Sequence, residues 1–189
     1  MKQMTRNALV LGIIGVVSAL LLSYTAEVTH PMIEQNRQIA LRRALSQVLP
    51  EADSFRVIDE SLEFYEGLDS LGNRVGYAFV GEGGGYQGKI RLMIGITPEW
   101  DRLTGLAVLE NIETPGLGAK IASASFLKQF RGLHVAPKIE YVQNRPPEKP
   151  NQIQAITGAT ISSRSVVRIL NQTVSKMKQR WKAEATNAQ

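Results

Sequence analysis

The chain contains no cysteine, and its two histidines, His30 and His134, lie far apart in the sequence. Without cysteine the protein has no disulfide bond, no cysteine-ligated iron–sulfur cluster and no thiol nucleophile. Two isolated histidines do not have the spacing of a zinc site. The sequence therefore predicts neither a metal site nor thiol catalysis, and an oxidising compartment is compatible with the missing cysteines.

A strong excess of one charge is also missing. There are 22 basic and 17 acidic residues, a net charge of +5, which is too mild to indicate a nucleic-acid-binding protein. The 43% hydrophobic and 21% charged content is ordinary for a globular chain. A length of 189 residues suggests one domain with appendages. We expect no nucleic-acid partner.

The N-terminal segment is the one long apolar run. It covers residues 8–26, and no charge falls between Arg6 and Glu27. At 1.5 Å per residue this run is long enough to cross a hydrocarbon core of about 30 Å. A cleaved signal peptide needs small residues at alternate positions before the cleavage site, and Tyr24 interrupts the best candidate. The sequence therefore favours a retained membrane anchor over a cleaved signal.

Flanking charges predict the orientation of this anchor. Lys2 and Arg6 precede it, and no further Lys or Arg occurs until Arg37. Because basic residues stay on the cytoplasmic side, the N-terminus is expected there and the rest of the chain outside. The predicted organisation is a cytoplasmic end at 1–7, a transmembrane anchor at 8–26, a helical linker at 27–50 and a folded domain at 51–189.

Beyond residue 50 the hydrophobic pattern becomes that of short strands. Turn residues separate four β-rich runs, which predict an antiparallel meander: FRVI, RVGYAFVG, KIRLMIGI and LTGLAVLE. Helices are expected at 122–130 and 165–181, with a further strand near 138–142. The last helix places five apolar residues on one face: Val166, Leu170, Val174, Met177 and Trp181. The predicted fold class is α+β, an antiparallel sheet with flanking helices.

Three glycine-containing stretches are the candidate functional motifs: GEGGGYQGKI at 81–90, ENIETPGLGAKI at 110–121 and TGATISS at 157–163. None is a dinucleotide-binding fingerprint or a phosphate-binding P-loop. Taken singly, the first fits a flexible hairpin and the second an ordinary strand-to-helix connection. Spacing alone does not separate these structural roles from ligand binding.

The third motif has more informative local chemistry. Ser162 or Ser163 is a suitable helix N-cap, and a helix N-terminus favours a phosphate. Gly158 and Ala159 keep bulky side chains away, which would leave the Thr160 hydroxyl close to an anion site. On these residues alone a capped helix without a ligand remains the simpler interpretation.

Taken together and in order, GYQGKI, ETPGLG and TGATISSRSV resemble the flavin-binding domain of the RnfG family, a component of the Rnf electron-transport complex. The NqrC family of the sodium-translocating NADH:quinone reductase is related and shares that domain. The N-terminal anchor and the length also fit RnfG. The resemblance implies an electron-transfer subunit in a bacterial inner membrane. It would have a single transmembrane pass, its bulk on the periplasmic side, and the other Rnf subunits as partners.

The resemblance also implies FMN attached by a phosphodiester to Thr160, made by a separate flavin transferase that uses FAD and magnesium. By the same resemblance Thr157, Gly158 and Ala159 would surround the phosphate. The flavin would lie against a second set of residues: Glu113, Thr114, Gly116, Leu117, Gly118 and Tyr86. Residues 8–26 would contact membrane lipid. The chain itself offers no nucleophile–base pair, so we expect no independent catalytic site.

One position departs from the family pattern. The family usually has an aspartate six residues before the modified threonine, and this chain has Gln154 there. A glutamine donates and accepts hydrogen bonds but has no carboxylate for a metal or a cationic partner. An assembly module without covalent flavin therefore stays open as an alternative function. So does an NqrC-like component of a quinone reductase.

Overall fold

The computed structural model of the protein describes residues 2–187, which divide after Leu41 into two compact units. The first unit consists of helix alone, from α1, Lys2–Val48. Its apolar side chains are exposed, with Leu11 at 71% and Leu22 at 72%. Within the described residues, α1 is one helix long and apolar enough to cross a membrane, by length and composition. The predicted anchor and linker are therefore one continuous helix, and the anchor's bounds and orientation stay predictions.

The second unit is built on a five-stranded antiparallel sheet in the order β1-β2-β3-β4-β5. Its strands are β1 Ser54–Asp59, β2 Phe64–Leu68, β3 Arg74–Gly84, β4 Lys89–Ile96 and β5 Leu103–Asn111. Four of them coincide with the four predicted runs, which confirms the meander. The fold class is α+β, as predicted.

The strand missing from the prediction is β2, sequence FYEGL, which has Glu66 at its centre. A charged residue beside a glycine is unusual in a buried strand, so the pattern did not indicate one. Glu66 is nevertheless only 1% exposed, because Arg56 on β1 and Arg74 on β3 form ion pairs with its carboxylate. Glu66, which made β2 hard to predict from the sequence, thus links β2 to both β1 and β3 through ion pairs.

This ion-pair cluster predicts a pH-dependent contribution to stability. Burial raises the pKa of the Glu66 carboxyl, but the hydrogen bonds and charges of Arg74 and Arg56 outweigh it and leave the pKa below its ordinary value of 4.5. A carboxyl with a lowered folded pKa stabilises the protein above its ordinary pKa. That contribution is lost as the pH falls through the folded value.

We therefore expect Glu66→Gln to destabilise the chain at pH 7 by about 1–3 kcal/mol. The difference from wild type should shrink as the pH is lowered below 4.5. Urea unfolding of the detergent-solubilised chain at a series of pH values measures this. Glu60→Gln, at an exposed carboxylate of the β1–β2 turn, is the matched control. A difference that stays constant between pH 7 and acid would contradict the assignment.

Helix α3, Thr160–Asn187, packs across β3 and closes the core. The predicted apolar face is confirmed, because Val166, Leu170, Val174 and Met177 are buried and Trp181 is half-buried. Burying a side chain of this size contributes about 1.5–3 kcal/mol. The stripe is therefore what holds α3, and with it Thr160, against the sheet.

The predicted helix at 122–130 is instead a string of short turns. A 3₁₀ turn at Gly118–Ala122 leads into α2, Ala124–Leu127, and a second 3₁₀ turn at Lys128–Phe130. The strand expected near 138–142 is β6, Glu140–Val142, and it pairs in parallel with β7, Gln152–Gln154. The prediction missed β7 because a strand of three residues has too few positions to show a period.

Candidate functional site

The three glycine-containing motifs meet at the buried carboxylate of Glu113. Its Oε1 accepts hydrogen bonds from the backbone N–H of Tyr86 at 2.8 Å and of Gln87 at 3.1 Å. Its Oε2 accepts a hydrogen bond from the hydroxyl of Ser162 on α3. Glu113 is 6% exposed, so these bonds form away from water, where charge-assisted bonds are strong. One side chain therefore joins segments that are far apart in the sequence.

Two glycines make room for this junction. A Cβ at Gly85 would overlap Glu113 Oε1. A Cβ at Gly118 would lie 2.5 Å from Glu113 Oε2 and 2.8 Å from Ser162 Oγ. The glycines of the first two motifs are thus needed for close approach around the carboxylate.

The ETPGLG segment forms a tight turn that contacts the third motif. The Thr114 carbonyl accepts hydrogen bonds from the N–H of Leu117 at 3.2 Å and of Ala119 at 3.1 Å. Gly116 has φ +77°, a conformation that favours glycine. A Cβ on Gly158 would lie 3.6 Å from the Leu117 side chain. The second motif therefore reaches the TGAT sequence directly.

The start of α3 differs from the prediction. We expected Ser162 or Ser163 as the N-cap, but the helix begins at Thr160, so both serines lie inside its first turn. Ser163 Oγ accepts the N–H of Ile156 and donates to the Ala159 carbonyl, each at 3.0 Å. Ser162 turns toward Glu113 instead. Both hydroxyls hold the motif in place, Ser162 through a long-range bond and Ser163 through local bonds. The N-cap prediction was wrong because the helix begins before both serines.

Thr157 and Thr160 are the two hydroxyls of the motif whose side chains make no hydrogen bond within residues 2–187, and of the two only Thr160 lies on a helix. Thr160 is half-buried at the first position of α3. The first N–H groups of a helix also lack partners inside the helix, and with the helix dipole they favour an anion. Gly158, at φ +81°, turns the chain sharply just before it. A phosphate joined to the Thr160 oxygen would meet these N–H donors.

An apolar rim accompanies this hydroxyl. Within residues 49–183, six large apolar side chains are exposed, and four of them lie on the segments of the three motifs: Tyr86 at 64%, Ile112 at 69%, Leu117 at 49% and Ile161 at 45%. Exposed apolar side chains are a common feature of ligand-binding sites, so these segments are candidates for binding an apolar group. Sequence reasoning missed Ile112 and Ile161. The sequence did contain a signal for them. Ile112 directly precedes Glu113 and Ile161 directly follows Thr160, and both are exposed in the structure.

Two arginines follow Thr160 along the same face of α3. Arg164 follows Thr160 by four residues, so the two share a helix face. Arg168, one turn further, donates to the Gly84 carbonyl at 2.6 Å and ties α3 to the end of β3. A phosphoryl group near Thr160 would therefore find a guanidinium within one helical turn.

The structure brings together most of the residues predicted for the site. Tyr86, Leu117, Thr157 and Gly158 are exposed, while Ala159, Glu113 and Gly118 are buried. The Glu113 carboxylate points into the junction. Gln154 lies at the end of β7 with its side chain exposed, and its backbone N–H and C=O pair with the side chain of Gln129 at 2.7 and 3.2 Å.

Known protein families match two parts of the chain. Residues 85–175 match the FMN-binding domain family, and residues 1–48 match the RnfG N-terminal region. All three motifs, apart from the first residues of GEGGGYQGKI, fall within the first match.

Similar proteins cover nearly the whole chain. The G-type subunit of the ion-translocating oxidoreductase complex of Methanosarcina acetivorans is 34% identical over 92% of this chain and 94% of its own. The G-type subunit of the Na(+)-translocating ferredoxin:NAD(+) oxidoreductase complex of Acetobacterium woodii is 33% identical, over 92% and 91%.

Solved structures support the fold. NqrC of Shewanella oneidensis superposes with a TM-score of 0.55 at 18% identity, over 66% of each chain. The C-type subunit of the Na(+)-translocating NADH-quinone reductase of Parabacteroides distasonis gives a TM-score of 0.51 at 23% identity, over 59% of this chain and 58% of its own. At these identities the likeness concerns the fold alone.

Proposed function

The chain belongs to the RnfG family of ion-translocating oxidoreductase complexes, and on that premise we propose that it carries covalent FMN and relays electrons. The FMN is joined by a phosphodiester to the Thr160 oxygen, and the folded domain works on the periplasmic side of the membrane. The identity to RnfG relatives over most of the chain favours an Rnf-type complex over the quinone-reductase type.

One observation carries this proposal. The unbonded Thr160 hydroxyl stands at the N-terminus of α3, beside an exposed apolar rim, where three distant motifs meet at Glu113. A helix N-terminus suits a phosphate, and an apolar rim suits a planar ring system. The FMN-binding domain match covers all of these residues from 85 onward.

The residues fit FMN as follows. Thr157, Gly158 and Ala159 surround the phosphate together with the first N–H groups of α3, while Tyr86, Ile112, Leu117 and Ile161 contact the flavin ring. The turn formed by Thr114 and Gly116 holds Leu117 toward the ring. When bound, FMN supplies one- and two-electron transfer, and the protein supplies position and electrostatics. Thr160 is an attachment point and takes no part in the redox step.

The membrane anchor explains why a covalent bond to the flavin would be useful. The apolar part of α1 confines the domain to the membrane surface through lipid contacts of residues 8–26, beside the other subunits of the complex. A cofactor held only by reversible binding outside the cytoplasm is lost by dilution. Covalent attachment by a flavin transferase keeps it at high effective concentration near its redox partners.

The experiment that tests the proposal is in-gel fluorescence of the denatured full-length chain, co-expressed with a flavin transferase and supplied with FAD and magnesium. We expect a fluorescent band at the mass of the chain, and an intact mass raised by one FMN. A chain without flavin, while the same transferase labels a control substrate, would contradict the proposal.

Gln154 favours a second candidate function, an assembly module of the same complex without covalent flavin. Its exposed side chain stands where relatives are expected to have an aspartate, at the end of the strand that leads into TGAT. We expect Gln154→Asp to label at least as fast as wild type. If only Gln154→Asp acquires flavin and wild type stays dark, the assembly module is the better conclusion. If both are labelled, it is rejected.

A further inference from the structure

A solvent-filled cleft of about 710 Å³ runs between strand β6 and the first half of α3. One wall is formed by β6 with Tyr141 and by Gln143 just after it, and the other includes Arg164 and Arg168. Neither the apolar rim nor Glu113 lines it. Apart from Arg164, which also lies one turn from Thr160, the cleft is therefore a separate surface beside the FMN site on the same helix.

The β6 wall is an open sheet edge. On its other side β6 pairs with β7, where the Glu140 N–H donates to the Asn151 carbonyl and Val142 accepts from Ala155, each at 2.9 Å. Hydrogen-bonding groups of successive strand residues point in opposite directions. The N–H and C=O groups of Tyr141 therefore point away from β7 and toward the cleft, and Gln143, in the bend that follows the strand, also lines the cleft.

At one position of this edge, a side chain makes the hydrogen bonds that a neighbouring strand would make. Asn171 on α3 accepts the Ile139 N–H and donates to the Ile139 carbonyl, both at 2.8 Å. This side chain closes one end of the edge. For the backbone of Tyr141, and of Gln143 just after the strand, the structure of residues 2–187 provides no such partner. An open edge of this kind is a template for strand addition.

The charge of the cleft is one-sided. Its lining has four cationic side chains, Lys138, Arg145, Arg164 and Arg168, and a single carboxylate, Glu140. That carboxylate accepts a hydrogen bond from Gln152 at 3.2 Å. Two copies of β6 paired edge to edge would bring these cations against each other, which disfavours a second copy of the chain.

We propose that the cleft receives an extended acidic segment of a neighbouring subunit of the complex. The segment adds as a strand to the backbone of Tyr141 and Gln143, and its carboxylates pair with the arginines and the lysine of the cleft. This inference rests on the proposed function only in taking the chain as one subunit of a complex. Because Arg164 lies one turn from Thr160, the docked segment holds its subunit next to the flavin attachment residue.

Hydrogen–deuterium exchange tests the docking on the protein as it exists. Amide exchange of the 140–144 segment is compared between the free full-length chain and the purified whole complex, both in the same detergent. We expect it to slow about tenfold or more in the complex, since the added strand would satisfy the Tyr141 and Gln143 N–H groups. Unchanged exchange in the complex would overturn the proposal.

Matched charge reversals test the acidic character of the segment. Lys138→Glu with Arg145→Glu should remove most of the protection in the complex. Lys128→Glu with Arg131→Glu makes the same change in charge at exposed residues outside the cleft and should keep it. Equal loss of protection in both double variants, or in neither, would contradict an acidic occupant.

A single introduced thiol identifies the occupant. Because the chain has no cysteine, Gln143→Cys carries a thiol-linked photocrosslinker at one position only. A crosslinked peptide with an acidic, extended sequence from another subunit supports the proposal, whereas lipid, a second copy or no product overturns it. Flavin fluorescence of the same complex separates the two proposals. Flavin without protection refutes the docking alone, and protection without flavin refutes covalent FMN alone.

Discussion

Thr160→Ala is expected to abolish the fluorescent flavin band of the denatured chain completely, while Thr157→Ala is expected to keep it. Both threonines belong to TGAT, but they differ in position. Thr160 is the first residue of α3 and lies among N–H groups that have no partner within the helix. Thr157 is exposed, and the φ +81° turn at Gly158 separates it from the helix. Only Thr160 thus combines a hydroxyl with a helix N-terminus.

Folding should not confound this comparison. The Thr160 side chain is half-buried and makes no hydrogen bond in the described part of the chain, so its loss should change stability by about 0.5 kcal/mol or less. Equal melting temperatures of wild type, Thr160→Ala and Thr157→Ala would confirm that. Thr160→Ser keeps the oxygen and should retain labelling. A band that persists in Thr160→Ala, or vanishes only in Thr157→Ala, would place the attachment elsewhere.

Much of the fold was predictable from the sequence wherever a helix or strand has one buried face and one solvent-exposed face. Helix α3 shows this most clearly, because Val166, Leu170 and Val174 recur at helical spacing and are all buried. Strand β4 was predictable from its β-rich composition between turns. Strand β2 was not, since its central Glu66 is buried only because arginines from two neighbouring strands reach it. A long-range ion pair leaves no periodic signal in the sequence.

The candidate site divides in the same way. Its three motifs were visible as glycine-rich sequences, and the resemblance indicated Thr160 as the attachment residue. Local sequence patterns did not predict that the three motifs would meet at the Glu113 carboxylate. The bonds from Glu113 to Tyr86 and to Ser162 span 27 and 49 residues. They exist only because the antiparallel pairing of β3, β4 and β5 and the packing of α3 bring the segments together. The long-range bond of Ser162 to Glu113 was likewise absent from the local pattern that predicted a serine cap.

Glu113→Ala is expected to impair both the fold of the site and its labelling. It leaves the part-buried N–H groups of Tyr86 and Gln87 and the buried Ser162 hydroxyl without their acceptor, and one unsatisfied buried donor costs about 1–3 kcal/mol. We expect a loss of about 3 kcal/mol in the free energy of unfolding, because some of the donors will reach water. The loop of the first motif then loses its fixed position beside Thr160. Displacing a reacting group by about 1 Å can cost 10²-fold in rate, so flavin transfer should slow by tenfold or more.

Graded variants separate the individual bonds. Glu113→Gln keeps one oxygen for the N–H groups of Tyr86 and Gln87, and its NH₂ group donates to the Ser162 hydroxyl instead of accepting from it. It loses the charge but keeps the bonding pattern, so it should fall between wild type and Glu113→Ala, closer to wild type. Glu110→Ala removes an exposed carboxylate near the end of β5, three residues before Glu113, and should change stability by about 1 kcal/mol or less, with labelling kept.

Thermal unfolding in detergent and the time course of flavin fluorescence provide the two measurements, and their combination decides what Glu113 does. If stability and labelling fall together, in proportion to the hydrogen bonds that each variant removes, the Glu113 carboxylate holds the three motifs in place. If labelling falls while the melting temperature stays at the wild-type value, the carboxylate acts directly on the flavin or on the transferase. If neither changes, the junction is dispensable, and Thr160 must be positioned by α3 alone.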